Sequence, residues 1–158
     1  MCVLDEAYFE YVDKSDYPDS IAWLAKYPNL VITRTFSKAY GLAGLRTGYS
    51  LSSPELADIL NRVRQPFNNN ALALAAAEVA LSDVEYLAAT VALNNAGMQF
   101  VTDAFSAMGL VWIESVGNFV TVDLQREGDS INTALLHQGV IVRPVANYEM
   151  PNHLRISI

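Results

Sequence analysis

The sequence predicts an α/β fold, and three observations predict it. A β-branched apolar run, Leu30–Phe36, is followed at once by a loop punctuated by Gly41, Gly44 and Gly48. Near-helical spacing of apolar residues then defines a long helix over about 84–107. Beyond it the pattern returns to strand, helix, strand.

Each element has its own justification. Val3–Leu4 reads as a short buried strand that delivers Asp5 at its C-terminal end, and Ile21–Ala25 as a short helical run closed by Pro28-Asn29. Leu30–Phe36 is a core strand, and Tyr49–Leu51 forms another. Ser53 is placed to cap a helix with Pro54 at its first position, running to about Arg64 and stopping before Pro66. A polar break at Asn68–Asn70 precedes an alanine-rich helix over Ala71–Leu81. The long helix carries Val84, Leu87, Val91, Met98, Val101 and Phe105 as a core stripe and ends at Gly109. Strands are expected at Leu110–Ile113, Phe119–Leu124, Val140–Val142 and Leu154–Ile158. A helix over Ile131–His137 is expected to be capped by Asp129 or Ser130. A domain change is expected near 75–90, dividing the chain into 1–80 and 81–158. Both ends look cut, because the chain opens and stops inside strand-like runs.

Composition narrows the function. The 158 residues are 52% hydrophobic and 17% charged, so a real core is within reach and disorder is not indicated. A net charge of −7 argues against nucleic acid as a partner. No apolar run reaches membrane-spanning length, and no signal peptide is recognised, so no membrane partner is expected. One cysteine, Cys2, fits a reducing, cytoplasmic setting. His137 and His153 stand in no metal-ligand spacing, so no metal site is expected.

The chemistry concentrates in Asp5-Glu6-Ala7-Tyr8, Ser37-Lys38 and Arg46-Thr47-Gly48. Acid and lysine each follow a strand, and in open α/β sheets ligands gather at the carboxyl ends of strands. Taken singly, Asp5 is better read as a turn cap and Lys38 as a solvated surface residue. Glu6 is expected to pair with a nearby cation, Arg34 and Arg143 to be structural or to support the site from behind, and Tyr40 to be a half-buried core aromatic. The combination is what points to a site. A lysine amine, a carboxylate, hydroxyls and an arginine are what pyridoxal phosphate needs for its aldehyde, its ring nitrogen and its phosphate. The glycine spacing matches neither a P-loop nor a dinucleotide fingerprint.

These blocks, with the run Thr35–Tyr49 and the late Val140-Ile141-Val142-Arg143-Pro144 and Leu154-Arg155-Ile156-Ser157, resemble the histidinol-phosphate aminotransferase branch of the fold-type-I pyridoxal-phosphate enzymes. The resemblance runs in order over essentially the whole chain. It implies the second half of a large α/β cofactor domain followed by a small α+β C-terminal domain without its last helix. It implies pyridoxal 5′-phosphate as cofactor and Lys38 as the catalytic Schiff-base lysine and proton shuttle. It further implies Asp5 on the ring nitrogen, Tyr8 on the 3′ oxygen, and Ser37 and Arg46 on the cofactor phosphate. Arg155, with Arg143 as second candidate, would hold a substrate anion. The substrates implied are a small-molecule amino donor, histidinol phosphate, and a 2-oxo acid acceptor such as 2-oxoglutarate. The family works as a homodimer, and Gln65–Asn70 resembles a loop near the partner subunit's site. Alternatives within reach are an aromatic aminotransferase, a phospho-amino-acid decarboxylase, or a catalytically silent fragment.

Overall fold

The computed structural model describes all residues, 1–158, and the chain forms two compact units, Met1–Val91 and Ala92–Ile158. In the first, strands β1 (Cys2–Asp5), β2 (Leu30–Thr35) and β3 (Gly48–Ser52) make a three-stranded sheet in that order. β1 and β2 are parallel, with Asp5 opposite Thr33. β2 and β3 are antiparallel, with Arg34 opposite Tyr49. Parallel strands need a long crossover. Here it holds a 3-10 turn at Phe9–Tyr11 and the short helix α1 (Ser20–Trp23), whose Asp19 cap accepts the Ala22 N–H at 3.2 Å.

β2 is the buried centre of this unit: Leu30, Val31 and Ile32 are all buried, as their β-branched run leads one to expect. β1 departs from expectation. It is mostly exposed, with Val3 at 55%, and it is an edge strand that pairs with β2 alone.

Helix α2 (Pro54–Val63) begins as its cap chemistry predicts, with the Ser53 hydroxyl accepting the Leu56 N–H at 3.3 Å and Pro54 in the first turn. Helix α3 (Ala71–Ser82) is capped by Asn70, which accepts the Ala73 N–H at 2.8 Å. It buries Ala73 and Ala77, spaced one turn apart on a single face. Asp83 then breaks the helix and accepts the Tyr86 N–H at the start of α4 (Val84–Ala107). The boundary between the two units falls inside α4.

The second unit is a four-stranded sheet in the order β4-β5-β7-β6, with every pairing antiparallel. Its strands are β4 (Val111–Ile113), β5 (Phe119–Asp123), β6 (Arg143–Pro144) and β7 (His153–Ser157), and helix α5 (Gly128–His137) links β5 to β6. Phe105, Val120, Val122 and Leu154 form one apolar cluster, with Met98, Val101, Trp112, Ile131 and Leu135 packed against it. The stripe on α4 is therefore core at Met98, Val101 and Phe105, whereas Val84 at its start is 70% exposed.

Two local expectations are corrected here. The strand expected at Val140–Val142 instead forms at Arg143–Pro144, because the Val140 N–H is spent on the Leu135 carbonyl to close α5. α5 also takes no side-chain cap from Asp129 or Ser130. Its first residue, Gly128, donates to the Pro151 carbonyl at 2.8 Å, and the Ser130 hydroxyl donates to the Glu127 carbonyl. No helix is long and apolar enough to cross a membrane.

Candidate functional site

Asp5 and Lys38 stand where the two parallel strands end. Asp5 closes β1, and its Oδ1 accepts the Ala7 N–H at 3.1 Å and the Thr33 hydroxyl at 3.5 Å. The second bond crosses to β2, so the carboxylate is oriented by its parallel neighbour as well as by its own turn. Three residues beyond Thr35, the chain has turned out of the ladder. The Thr35 hydroxyl accepts the Ser37 N–H at 3.0 Å, and the Gly41 N–H returns to the Lys38 carbonyl at 2.9 Å. The Lys38 amine lies 5.3 Å from the centre of the Tyr8 ring and forms no ion pair. No carboxylate holds the amine, so its position is set by the turn and by the Tyr8 ring.

Ser37 and Arg46 are also brought together. Arg46 Nη1 donates to the Ala43 carbonyl at 2.8 Å and reaches the Ser37 hydroxyl at 3.5 Å. Arg46 sits in the left-handed region, φ 56°, ψ 48°, at the end of the 3-10 turn Ala43–Leu45. For a side-chain-bearing residue that conformation costs on the order of 1–3 kcal/mol, and such strain concentrates where a side chain must point to a particular place. Gly48, two residues on, lets β3 close against β2: a Cβ there would meet the Arg34 carbonyl oxygen at 2.6 Å. A hydroxyl beside a guanidinium is a donor set that fits a phosphate. With Lys38 and Asp5 it matches the three polar needs of a phosphorylated pyridine aldehyde.

Behind these residues lies a buried polar cluster that sequence reading located only in part. Glu6 and Arg34 form an ion pair whose side chains are 0% and 9% exposed. Arg34 Nε and Nη2 both donate to Glu6 Oε2, at 2.9 and 2.8 Å, and the Tyr17 hydroxyl donates to Glu6 Oε1 at 3.0 Å. The guanidinium lies 3.6 Å from the centre of the Phe9 ring. Burial by itself weakens the proton affinity of Arg34, but its hydrogen bonds to Glu6 and Tyr49 outweigh that and hold it above its ordinary range. Burial together with the bond to Glu6 pushes the Tyr17 phenol up. Glu10 is a second carboxyl nearby, and one of its oxygens is buried without a hydrogen-bond partner. Burial raises its proton affinity, with Glu6 adding to the rise and a backbone bond and Arg34 opposing it. Glu6 pairs with a cation, as expected. That Glu6 and Arg34 chose each other rests on strand register, which residue types do not reveal. Tyr40 lies half-buried beside Phe36, their ring centres 5.2 Å apart.

The two late arginines belong to the second unit. β6 and β7 set Arg143 opposite Arg155, and β5 sets Thr121 opposite Arg155 on the other side. The Arg155 guanidinium lies 4.8 Å from the Phe119 ring centre, and its Nε is buried without a partner. Like charges directly opposite each other in a sheet repel. An unpartnered buried guanidinium N–H opposite a second arginine is a donor set that fits an anion.

The Gln65–Asn70 loop is built around Arg64, which donates to Asn61 Oδ1 at 2.6 Å and Asn68 Oδ1 at 2.8 Å. That closure leaves Phe67 in the left-handed region and 98% exposed.

Residues 1–158 match the family described as aminotransferase class I and II. A histidinol-phosphate aminotransferase of Pseudomonas fluorescens is 64% identical over all of this chain, which covers 43% of that protein. One from Nitrosococcus oceani is 57% identical with the same coverage. The crystal structure of histidinol-phosphate aminotransferase from Sinorhizobium meliloti in complex with pyridoxal-5′-phosphate superposes with a TM-score of 0.88 at 36% identity, over 98% of this chain and 43% of that one. The chain thus spans less than half the length of the curated relatives it matches.

Proposed function

Because this chain belongs to the class I and II aminotransferase family, we propose that it is the C-terminal portion of a pyridoxal 5′-phosphate-dependent histidinol-phosphate aminotransferase. The observation that carries the reading is the grouping at the ends of β1 and β2. There a lysine amine lies against Tyr8, Asp5 is oriented from both strands, and Ser37 meets Arg46. The likeness to histidinol-phosphate aminotransferases in sequence and fold supports the choice of branch. In this reading residues 1–80 belong to the large cofactor domain and 81–158 to the small C-terminal domain.

When bound, pyridoxal 5′-phosphate supplies an aldehyde that condenses with amines and a protonated ring that draws electrons from the substrate α-carbon. Lys38 provides the amine that holds the cofactor and moves the proton at the substrate α-carbon. Asp5 sets a negative charge against the ring nitrogen and so favours its protonated form. Tyr8 donates a hydrogen bond to the 3′ oxygen. Ser37 and Arg46 hold the phosphate. Arg155, with Arg143 opposite, binds the substrate's own phosphate, and the unpartnered Arg155 Nε supports that assignment. The acceptor is a 2-oxo acid such as 2-oxoglutarate. The working form is a cytoplasmic homodimer, with the Gln65–Asn70 loop facing the partner's site.

The coverage of 43% of the relatives supports a corollary. In this reading further donors for the cofactor lie in the part of those relatives that this chain does not span, and each bond to a charged group that is absent costs roughly 1.5–3 kcal/mol. The 158-residue chain alone is therefore expected to bind cofactor weakly and to transaminate little or not at all.

The test is covalent trapping. The chain is mixed with pyridoxal 5′-phosphate and reduced with borohydride, and the label is mapped by peptide mass. Label is expected on Lys38 in preference to Lys14 and Lys26, and in Lys38→Ala that preference vanishes. Equal labelling of all three lysines in the unaltered chain would contradict the assignment. Robust transamination of histidinol phosphate by the 158-residue chain alone would contradict the corollary.

A further inference from the structure

We propose that the buried Glu6–Arg34 pair is a positioning strut that fixes the strand ends carrying Asp5, Tyr8 and Lys38 relative to one another. The proposal rests on the reading of Lys38 as the cofactor lysine and adds two residues to it that touch neither cofactor nor substrate.

The placement is the first argument. Successive residues of a strand face opposite ways. Asp5 is directed to one side, where its carboxylate meets Thr33, and Glu6 to the other, where it meets Arg34. The backbone of Glu6 is held too. Its N–H donates to the Thr33 carbonyl at 2.9 Å, and its carbonyl accepts the Phe9 N–H at 3.1 Å. The second of these bonds closes the turn that presents Tyr8. On the other strand, Arg34 lies two residues before buried Phe36 and four before Lys38. One ion pair therefore ties the turn carrying Asp5 and Tyr8 to the strand end carrying Lys38.

The geometry is the second argument. Two donors of one planar guanidinium converge on a single carboxylate oxygen while the plane lies over Phe9, so distance and angle are both set. Tyr17 holds the other carboxylate oxygen. Stability does not call for this arrangement. A buried ion pair is often no better for stability than two well-packed apolar side chains, because desolvating the charges offsets their attraction. What charges provide and apolar side chains do not is direction.

The experiment separates position from stability. Glu6→Leu/Arg34→Met and Arg34→Lys are prepared in the full chain alongside wild type. Three quantities are read: the thermal midpoint, the NMR contacts between the Tyr8 ring and the Lys38 side chain without cofactor, and the ratio of trapped pyridoxal 5′-phosphate on Lys38 to that on Lys26. The apolar double variant is expected to keep a midpoint near wild type, to lose the Tyr8–Lys38 contacts, and to drop at least about tenfold in labelling ratio, since displacements near 1 Å are costly to positioned chemistry. Arg34→Lys, which keeps the charge and loses the fork, is expected to fall between.

A folded double variant with wild-type contacts and labelling ratio overturns the strut. Should the double variant not fold, full contacts in a folded Arg34→Lys overturn it instead. If wild type labels Lys38 no more than Lys26, the cofactor reading fails, and the Tyr8–Lys38 contacts still decide the strut.

Discussion

The two units of this chain bury different things. In Ala92–Ile158 the central cluster is apolar, with Val120, Val122 and Leu154 almost fully enclosed and Phe105 beside them, and the buried polar residues, Asn94 and Thr121, are uncharged. In Met1–Val91 the buried set includes Glu6, Ser20 and Thr47 as well as Ile32 and Phe36, and the one buried ion pair is there. The apolar unit gains free energy from area removed from water, whatever the exact angles. The polar unit gains little net free energy from its ion pair but depends on angles being right. Substitutions should therefore act differently in the two: by lost volume in one, by an abandoned charge in the other.

The tryptophans give each unit its own reporter, Trp23 in the first and Trp112 in the second. The largest effect is expected from Arg34→Met, which leaves Glu6 charged, buried and short of its partner, at about 3–5 kcal/mol. Urea unfolding followed at Trp23 checks it, and a loss under about 1 kcal/mol would show that the Glu6 site takes up water or a proton readily, against its 0% side-chain exposure. Next comes Leu154→Ala, expected to cost about 2–5 kcal/mol through transfer and cavity terms and to be read at Trp112. If both variants shift both tryptophans equally, the comparison breaks, because the two units then unfold as one.

How much of this was legible beforehand follows the range of the forces involved. Helices α2 and α4 were legible because caps and periodicity are local: Ser53 and Pro54 mark one start, and the spacing of Met98, Val101 and Phe105 marks one face. β2 was legible because a run such as Leu30–Ile32 has few other ways to be buried. That Asp5 and Lys38 each come at or just after the end of a parallel strand could be anticipated because those strand endings show in the residues. What failed depended on distant partners. The exposure of β1 depends on what packs over the faces of its sheet, which Val3 and Leu4 themselves do not show. The late start of β6 is set by the Val140 bond to Leu135. The start of α5 is set by the close approach of Gly128 to Pro151 and His153, where a Cβ would lie 3.1 and 3.0 Å from their carbonyl oxygens. Glu10 drew no attention in the sequence, since its burial arises only when the Phe9–Tyr11 turn folds against Arg34.

A smaller effect sharpens the comparison at a helix end. Asn70→Ala removes the acceptor for the Ala73 N–H and should cost about 1 kcal/mol, within a range of roughly 0.5–2. The same unit thus contains an ordinary local polar contact to set against the ion pair. Urea unfolding at Trp23 should give the order Arg34→Met well above Asn70→Ala. Equal costs would mean that the buried charge is no more demanding than a cap.

The smallest expected effect is one of pH, and it comes from Glu10. Its proton affinity is raised in the folded chain, chiefly by burial, with Glu6 contributing and Arg34 and a backbone bond opposing. A group whose pKa is higher folded than unfolded binds its proton more tightly in the folded state, so folding is favoured while the proton stays on. That contribution is fully present below the ordinary glutamate value of 4.5 and is lost as pH rises through the higher folded value. Above that value the folded state must either carry a charge short of solvent or give up part of its packing. One carboxylate oxygen of Glu10 has no hydrogen-bond partner to share the charge. Glu10→Gln keeps the shape and removes the titration. The variant should therefore gain on wild type as pH is raised from 4 to 8, with the difference between their urea midpoints growing in that direction and levelling off once Glu10 is ionised in both states of wild type. Trp23 is the reporter, and Trp112 should show less of the change. A difference that stays flat across this range would mean that Glu10 titrates alike folded and unfolded. One that shrinks as pH rises would mean that Arg34 dominates over burial at this carboxyl, and the cluster would then hold its second negative charge with ease.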